Sequence, residues 1–436
     1  MPHTIIANLS SLSIMRSTII LNLIRNKIIQ NGWWLYLALF FNTAFPLLTL
    51  PYVSRILGAS GYGIFATVLN IMTYCQTFIE YGFNLSATRK IALIKNNRRE
   101  LNSTFTLVLC TKGILMLISI VCIFLYVSLF NISYEIVKCY IIMTIFLLGI
   151  CLQQNWLFQG LEDVKYISLI NIIIRLIFTV CVFIFVKTQH DIYIYCLLYA
   201  IVSLINGILG MTIAMTKYKI FFLHISINDI IDEIKKGFHI FTVQFSSKIF
   251  SAIGITFLVF FTSNKDVGIY SAIQKIPTFI ILLWLPISQI LYPISTQKMK
   301  DSFSCGILFI FKIQKILLSL FSCVIFVMII FAKDIVTVVL GQEYLHNYYW
   351  AIPLLLWSVV AINNNFLGIQ ILLASGHDKE YSHCFQISVF IMVILNSVLI
   401  YLWGGNGASV APFISESILG ILLYYQIRRL RKDTNL

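Results

Sequence analysis

The sequence predicts an all-α integral membrane protein of about twelve transmembrane helices, arranged as two six-helix lobes around a central cavity with both termini in the cytoplasm. Three observations carry that prediction. Of 436 residues, 59% are hydrophobic and 11% charged, too few polar residues to cover a soluble globule of this size. Apolar runs recur about twelve times, each near the ~20 residues that cross a bilayer. Finally, four short stretches of the first half recur in the same order in the second half.

The runs fall near 33–54, 62–87, 104–130, 137–158, 165–186 and 192–215, then 238–262, 268–296, 307–332, 350–374, 383–403 and 407–427. The first two form a helical hairpin within Ala44–Ala92, folded back through the Gly- and Ser-containing connection Leu57–Gly63. The second helix of that hairpin carries Asn70, Thr73, Gln76 and Glu80. Spacings of three and four residues put the last three on one face, and a polar face inside a membrane turns toward a bundle interior or a watery cavity.

An even number of spans leaves both ends on one side. The loops sharing a side with the N-terminus carry twenty Lys and Arg, whereas the opposite loops carry only Arg55, Lys138, Lys187, Lys265 and Lys333. Positive loops stay cytoplasmic. The net charge of +14 is therefore mostly topology, and no soluble domain exists to present a basic surface to nucleic acid.

Residues 1–31 lack a signal-peptide layout, because Arg25 and Lys27 break the apolar run and no small-residue cleavage site follows. Ile19, Ile20, Leu23 and Ile24 with Lys27 suit a helix lying in the cytoplasmic interface, and Met15 is an alternative start. The N-lobe then spans 32–216. The mixed-charge stretch 217–236 reads as a cytoplasmic linker, 237–427 as the C-lobe and 428–436 as a basic tail.

The lobes match at four places. Gly63-Ile64-Phe65-Ala66 parallels Gly268-Ile269-Tyr270-Ser271, and Ser86–Lys90 parallels Ile294–Lys298. Lys112–Ser119 parallels Lys315–Ser322, and Gly160–Tyr166 parallels Gly376–Tyr381. Repeats of six helices keep the same orientation, so the lobes should be related by an axis along the membrane normal, with a site between them.

Four charges lie deep within spans, Glu80, Arg175, Lys248 and Glu416, and Lys275 lies about two turns in from an end. A charge at mid-bilayer costs at least ~2.5 to 3.5 kcal/mol, which calls for a partner or a use. Lys248, roughly 15 Å along its helix at 1.5 Å per residue, either lines a cavity or pairs with Glu80 or Glu416. Arg175 and Asn171 share a helix face and can hydrogen-bond a phosphate or a sugar; Arg175 can equally pair with Glu162 or a helix carbonyl. Gln153, Gln154 and Asn155 make a polar break matched by Asn363, Asn364 and Asn365. Amides of this kind serve sugar hydroxyls or join helices.

Lys112, Lys312 and Lys315 fall in first turns, where they can snorkel to the headgroups. Arg89 either serves only the positive-inside orientation or stands where an anionic lipid would enter from the inner leaflet. Glu80 and Glu416 are candidate proton carriers or structural partners. The 10 Cys are scattered without a C-x-x-C pair, and the His show no ligand spacing, so no metal or cofactor is expected. No phosphate-cradling loop or nucleophile elbow is present, which argues against an ATP-driven pump or an enzyme.

The run Pro51–Gly63, then Glu80-Tyr81-Gly82 and Ala87-Thr88-Arg89-Lys90, resembles the first helical hairpin of O-antigen flippases of the Wzx type. These belong to the superfamily that includes multidrug and toxin extrusion pumps and the peptidoglycan lipid flippase. Gln154–Glu162 followed by Asn171 and Arg175 is similar to that family's fourth and fifth helices, and Leu340–Tyr344 to its loop before helix ten. The resemblance covers nearly the whole chain. It implies a transporter that moves an undecaprenyl-diphosphate-linked oligosaccharide from the cytoplasmic to the periplasmic leaflet of the inner membrane by alternating access. It also implies a polysaccharide polymerase and a chain-length regulator of the same pathway as partners, and membrane lipid around the chain. The expected substrate-binding residues are Lys248, Arg175, Lys275, Asn171, Arg89, Gln154 and Asn155, with Glu80 and Glu416 for proton coupling. Two rivals stand beside it: a cation-coupled multidrug exporter, which would favour an acidic cavity, and a membrane-embedded polymerase or ligase, which would use a large periplasmic loop.

Overall fold

The computed structural model describes residues 48–433, together with Phe41 and Phe45. Among the described residues every regular element is helical, and eleven helices are long and apolar enough to cross a membrane. They coincide with the second to twelfth expected spans; most of the first span and the whole interfacial segment 1–31 lie outside the described residues.

The first helix, α1, is described over 48–80 and is followed by α2 (Phe83–Ile94). The expected seven-residue connection inside α1 is absent; the helical run is interrupted only at Gly58, whose φ of 66° is left-handed. A residue without Cβ reverses the backbone there at little cost, so no loop is needed. A second left-handed pair, Tyr81 (φ 43°) and Gly82 (φ 80°), separates α1 from α2.

Next come α3 (Arg98–Leu129), α4 (Tyr134–Leu152), the short α5 (Asn155–Gly160), α6 (Lys165–Phe185) and α7 (Ile192–Thr216). Asn97 caps α3 by accepting from the Glu100 amide at 3.4 Å. Helices α4 and α7 pack backbone to backbone. A Cβ on Gly149 would lie 2.3 Å from the Ser203 carbonyl carbon, and one on Gly207 would lie 2.7 Å from the Gly149 oxygen. Small residues allow such approach where no hydrophobic force between helices exists.

The second half comprises α8 (Ile227–Phe261), α9 (Asn264–Asp301), α10 (Phe303–Ile330), α11 (Ala332–Val339), α12 (Ala351–Asn365), α13 (Asp378–Trp403) and α14 (Gly405–Asp433). Reciprocal capping boxes start two of them, Ser226 with Asp229 at α8 and Ser263 with Asp266 at α9. The first of these extends α8 into what reads from sequence as linker, leaving only 217–226 outside helix. Helix α12 widens into a π-helical stretch, Phe366–Leu373, at the repeat position where α4 breaks at Gln153. Both lobes thus depart from α-helix at their matching amides.

Helices α3, α4, α6 and α7 pack among themselves, as do α9, α10, α12 and α14, with α13 joining α8 to α14. On the basic face, Lys95 pairs with Glu162 at 3.3 Å and Lys217 with Asp163, tying α2 and α7 to the turn before α6. The opposite face carries the α6–α7 turn and the Gln342–Trp350 stretch before α12.

Candidate functional site

On that opposite face the two lobes meet through α1. Ser54 Oγ donates to the Leu340 carbonyl at 3.1 Å, and the Arg55 guanidinium donates to the Val338 carbonyl at the end of α11. In return, a Glu343 carboxylate oxygen accepts from the Ala59 amide at 2.9 Å, just past the Gly58 break. Each lobe therefore sends a charge to a helix end of the other, and both signs suit the helix dipole.

One helical turn further along, α1 and α9 cross at two glycines. A Cβ on Gly63 would sit 1.7 Å from the Asn264 carbonyl oxygen and 3.0 Å from the Gly268 nitrogen. No side chain can intervene. Directly beyond the crossing opens a cavity of about 420 Å³ between the lobes. In the register that matches Gly63 to Gly268, its walls pair off as Phe65 with Tyr270, Ala66 with Ser271, Leu69 with Gln274, Asn70 with Lys275 and Thr73 with Thr278. Helix α8 completes the cavity with Lys248, Ser251 and Ile255.

Lys248 and Lys275 both line this cavity and are close enough to influence each other electrostatically. Lys275 presents an exposed side chain to it. Neither ammonium has a carboxylate within 4 Å among the described residues. Glu80 is the acid whose charge reaches Lys248, but its own oxygens accept from Gln76 Nε2 at 3.1 Å and Asn84 Nδ2 at 3.3 Å. The cavity therefore offers two cations without a contact ion pair among the described residues.

The remaining expected residues are elsewhere. Arg175 lies on α6 with its guanidinium 5.9 Å from the Tyr199 ring centroid, and Asn171 is one turn before it; neither borders the cavity. Glu162, offered as a partner for Arg175, pairs instead with Lys95. Arg89 is exposed on α2. Gln154 and Asn155 sit at the break between α4 and α5, where Gln154 is fully buried and donates to the Leu152 carbonyl at 3.1 Å. Glu416 is buried in α14, one carboxylate oxygen without a partner among the described residues, while Asn364 Nδ2 donates to its backbone carbonyl at 2.6 Å.

Lys112 does not snorkel. It is 3% exposed, and its Nζ donates at 2.8 Å to both the Ile150 and Gln153 carbonyls. The α4 break frees those carbonyls, and a cation at a helix C-terminus complements the dipole. Sequence reasoning also passed over Gln274, Ser251 and Trp357 in the cavity wall. The match between Gly63 and Gly268 was the available signal, since every wall pair above follows from it.

A family model described as "Polysaccharide biosynthesis protein" matches residues 28–299. A protein of Escherichia coli (strain K12), named as a proposed O-antigen transporter, is 28% identical over 394 residues, covering 89% of this chain and 93% of that protein. Among solved structures, the lipid II flippase MurJ in an inward closed conformation superposes with a TM-score of 0.65 at 14% identity, over 92% of this chain and 87% of that one. A mutant of the MATE transporter VcmN of Vibrio cholerae gives a TM-score of 0.61 at 12% identity, over 94% and 97%. At those identities the structural likeness establishes the fold alone.

Proposed function

The chain belongs to the polysaccharide biosynthesis protein family, and from that membership and the cavity we propose that it is a flippase for a polysaccharide repeat unit linked to undecaprenyl diphosphate. The observation that carries the reading is the pair of lysines, Lys248 and Lys275, that line a cavity between two lobes with no carboxylate within 4 Å among the described residues. Two cations without carboxylates attract an anion and repel the cationic substrates of a drug exporter. An inverted charge pattern would have pointed the other way.

In this reading the basic face is cytoplasmic, Arg89 meets the anionic headgroup at the inner leaflet, and the Arg55, Glu343 and glycine contacts close the periplasmic end in the present state. Transport by alternating access requires those contacts to break while others form at the cytoplasmic end. Glu80, bonded among the described residues by the Gln76 and Asn84 amides, and Glu416, with one oxygen free among them, are the groups able to carry a proton in exchange. Arg175 acts from within the N-lobe, against the Tyr199 ring, with Asn171 one turn before it, and Gln154 holds the α4 break beside Asn155. The site would lie in the bacterial inner membrane.

The test is direct. Reconstituted protein should carry a fluorescent undecaprenyl-diphosphate-linked oligosaccharide between leaflets, scored by its loss of accessibility to a membrane-impermeant quencher. Lys248→Ala should slow that exchange and Lys248→Arg should retain part of it. Exchange no faster than in protein-free liposomes would overturn the assignment.

A further inference from the structure

The two facing walls of the cavity match in register and differ in charge. Every wall position of α1 except Tyr62 has its register partner in the α9 wall, yet Lys275 of the C-lobe corresponds to Asn70 of the N-lobe, and Gln274 to Leu69. The second cation, Lys248, also belongs to the C-lobe.

The polar groups of the two walls differ further in whether they are free. On α1, Asn70 Nδ2 donates to Thr256 Oγ1 at 2.7 Å, Tyr74 OH shares that same hydroxyl at 3.0 Å, and Thr73 Oγ1 donates to the Asn70 carbonyl at 2.9 Å. Of the polar α1 groups that border the cavity, the Asn70 amide and the Thr73 hydroxyl are therefore engaged by protein, the Tyr62 hydroxyl makes no hydrogen bond among the described residues, and none carries a charge. Glu80, outside that wall, is held by Gln76 and Asn84 on either side. On α8 and α9, by contrast, the side chains of Lys248, Gln274 and Lys275 make no hydrogen bond among the described residues, while all three border the cavity. Lys248 and Gln274 are half-buried and Lys275 is exposed, and polar groups left free in a cavity wall are available to a ligand.

We infer that the anionic headgroup is held by the C-lobe alone, in a one-sided site made by Lys248, Gln274 and Lys275. The N-lobe wall of Leu69, Phe65 and Asn70 is a neutral surface that slides past it. This rests on the flippase reading and refines it, because one lobe then both receives and releases the diphosphate instead of passing it to the other. Two ammonium groups balance the two negative charges of a diphosphate diester, and its acceptors, spread over two phosphoryl groups, can engage both ammonium groups and the amide together, where a monophosphate presents a single phosphoryl group.

The probe is a sugar-free short polyprenyl diphosphate, titrated against the purified full chain in nanodiscs and compared with the corresponding monophosphate. Wild-type protein should prefer the diphosphate, and the preference should weaken with salt. Lys275→Asn, which gives the C-lobe the residue of the N-lobe, should weaken diphosphate binding by about tenfold or more, and Lys248→Gln similarly. Lys275→Arg should stay within a few fold of wild type and guards against a folding artefact. The deciding variant is Lys275→Asn combined with Asn70→Lys, which moves the cation to the matching position of the other lobe. It should leave binding weak. Restoration to wild-type affinity would show that either lobe serves and would overturn the one-sided site, as would unchanged binding in Lys275→Asn or equal affinity for the two phosphates. Failure of transport with this binding pattern intact would sink the flippase reading and leave the site standing.

Discussion

Gly63 and Gly268 occupy the same place in the two repeats and touch each other: a Cβ on Gly268 would lie 2.8 Å from the Gly63 nitrogen and 1.8 Å from the Ala59 oxygen. The lobes are thus pressed together at corresponding points, immediately beside the cavity, and a single added methyl on either residue cannot be housed without moving backbone. Backbone approach of this kind between helices in a membrane depends on glycine.

Gly63→Ala and Gly268→Ala should therefore each part the lobes at this end. In a cysteine-free background with Gln274→Cys in the cavity, a membrane-impermeant maleimide added outside should label either variant several-fold faster than the glycine parent. Gly113→Ala serves as the control, because nothing lies within 4 Å of its Cβ position. Equal labelling in all four proteins would mean that the crossing does not seal the cavity.

Lys112 should matter for stability more than for substrate. Lys112→Met keeps the length of the side chain but removes the donor to the Gln153 carbonyl and leaves the Ile150 carbonyl with only the 3.3 Å bond from the Gln153 amide. Buried acceptors stripped of a partner cost about 1 to 3 kcal/mol each. Thermal unfolding in detergent should shift downward by several degrees, with affinity for a polyprenyl diphosphate unchanged in the folded fraction. An unaltered melting temperature would remove Lys112 from the α4 break.

Glu80→Gln tests proton coupling. The amide keeps the shape of a protonated carboxyl, and the flanking Gln76 and Asn84 amides can reorient to bond it. Transport in vesicles should continue but no longer respond to an imposed pH gradient. A gradient response equal to that of the parent reassigns Glu80 to packing.

The membrane potential provides a fourth test. A diphosphate carrying about two negative charges gains ~2.3 kcal/mol per charge per 100 mV on leaving a negative interior, or ~4 to 5 kcal/mol in all. That gain requires the lysines to remain behind as a fixed electrostatic floor and no cation to accompany the lipid. With a potassium-diffusion potential and no pH gradient, export should be faster when the cytoplasmic face is negative. Identical rates at both polarities would mean that Lys248 and Lys275 move their charge with the substrate.

Much of the architecture was legible because membrane insertion is a local matter. A span needs about twenty apolar residues whatever its neighbours are, so the second to twelfth spans could be placed from hydropathy. Helix starts were less legible. Ser226 and Asp229 start α8 well before its apolar run, because a capping box stabilises helix in polar sequence too. The candidate site was legible in part: Lys248 and Lys275 stood out as cations too deep to be idle, and the cavity contains both. Arg175 stood out by the same rule, yet its helix turns it toward Tyr199 instead.

By itself, then, the sequence determined the helices, their apolar lengths and the repeat that matches Gly63 to Gly268, since each depends on residues adjacent in the chain or on comparing two stretches of it. Only the tertiary structure decided which polar groups are free. Asn70 and Lys275 look alike as polar residues inside spans, but Thr256, 186 residues from Asn70 in the chain, engages the former, and nothing among the described residues engages the latter. Lys112 is likewise indistinguishable from a snorkelling lysine until α4 breaks beside it and its carbonyls come within reach. Whether a buried donor is bonded or available depends on atoms brought near by packing, and composition, spacing and hydropathy carry no record of that proximity.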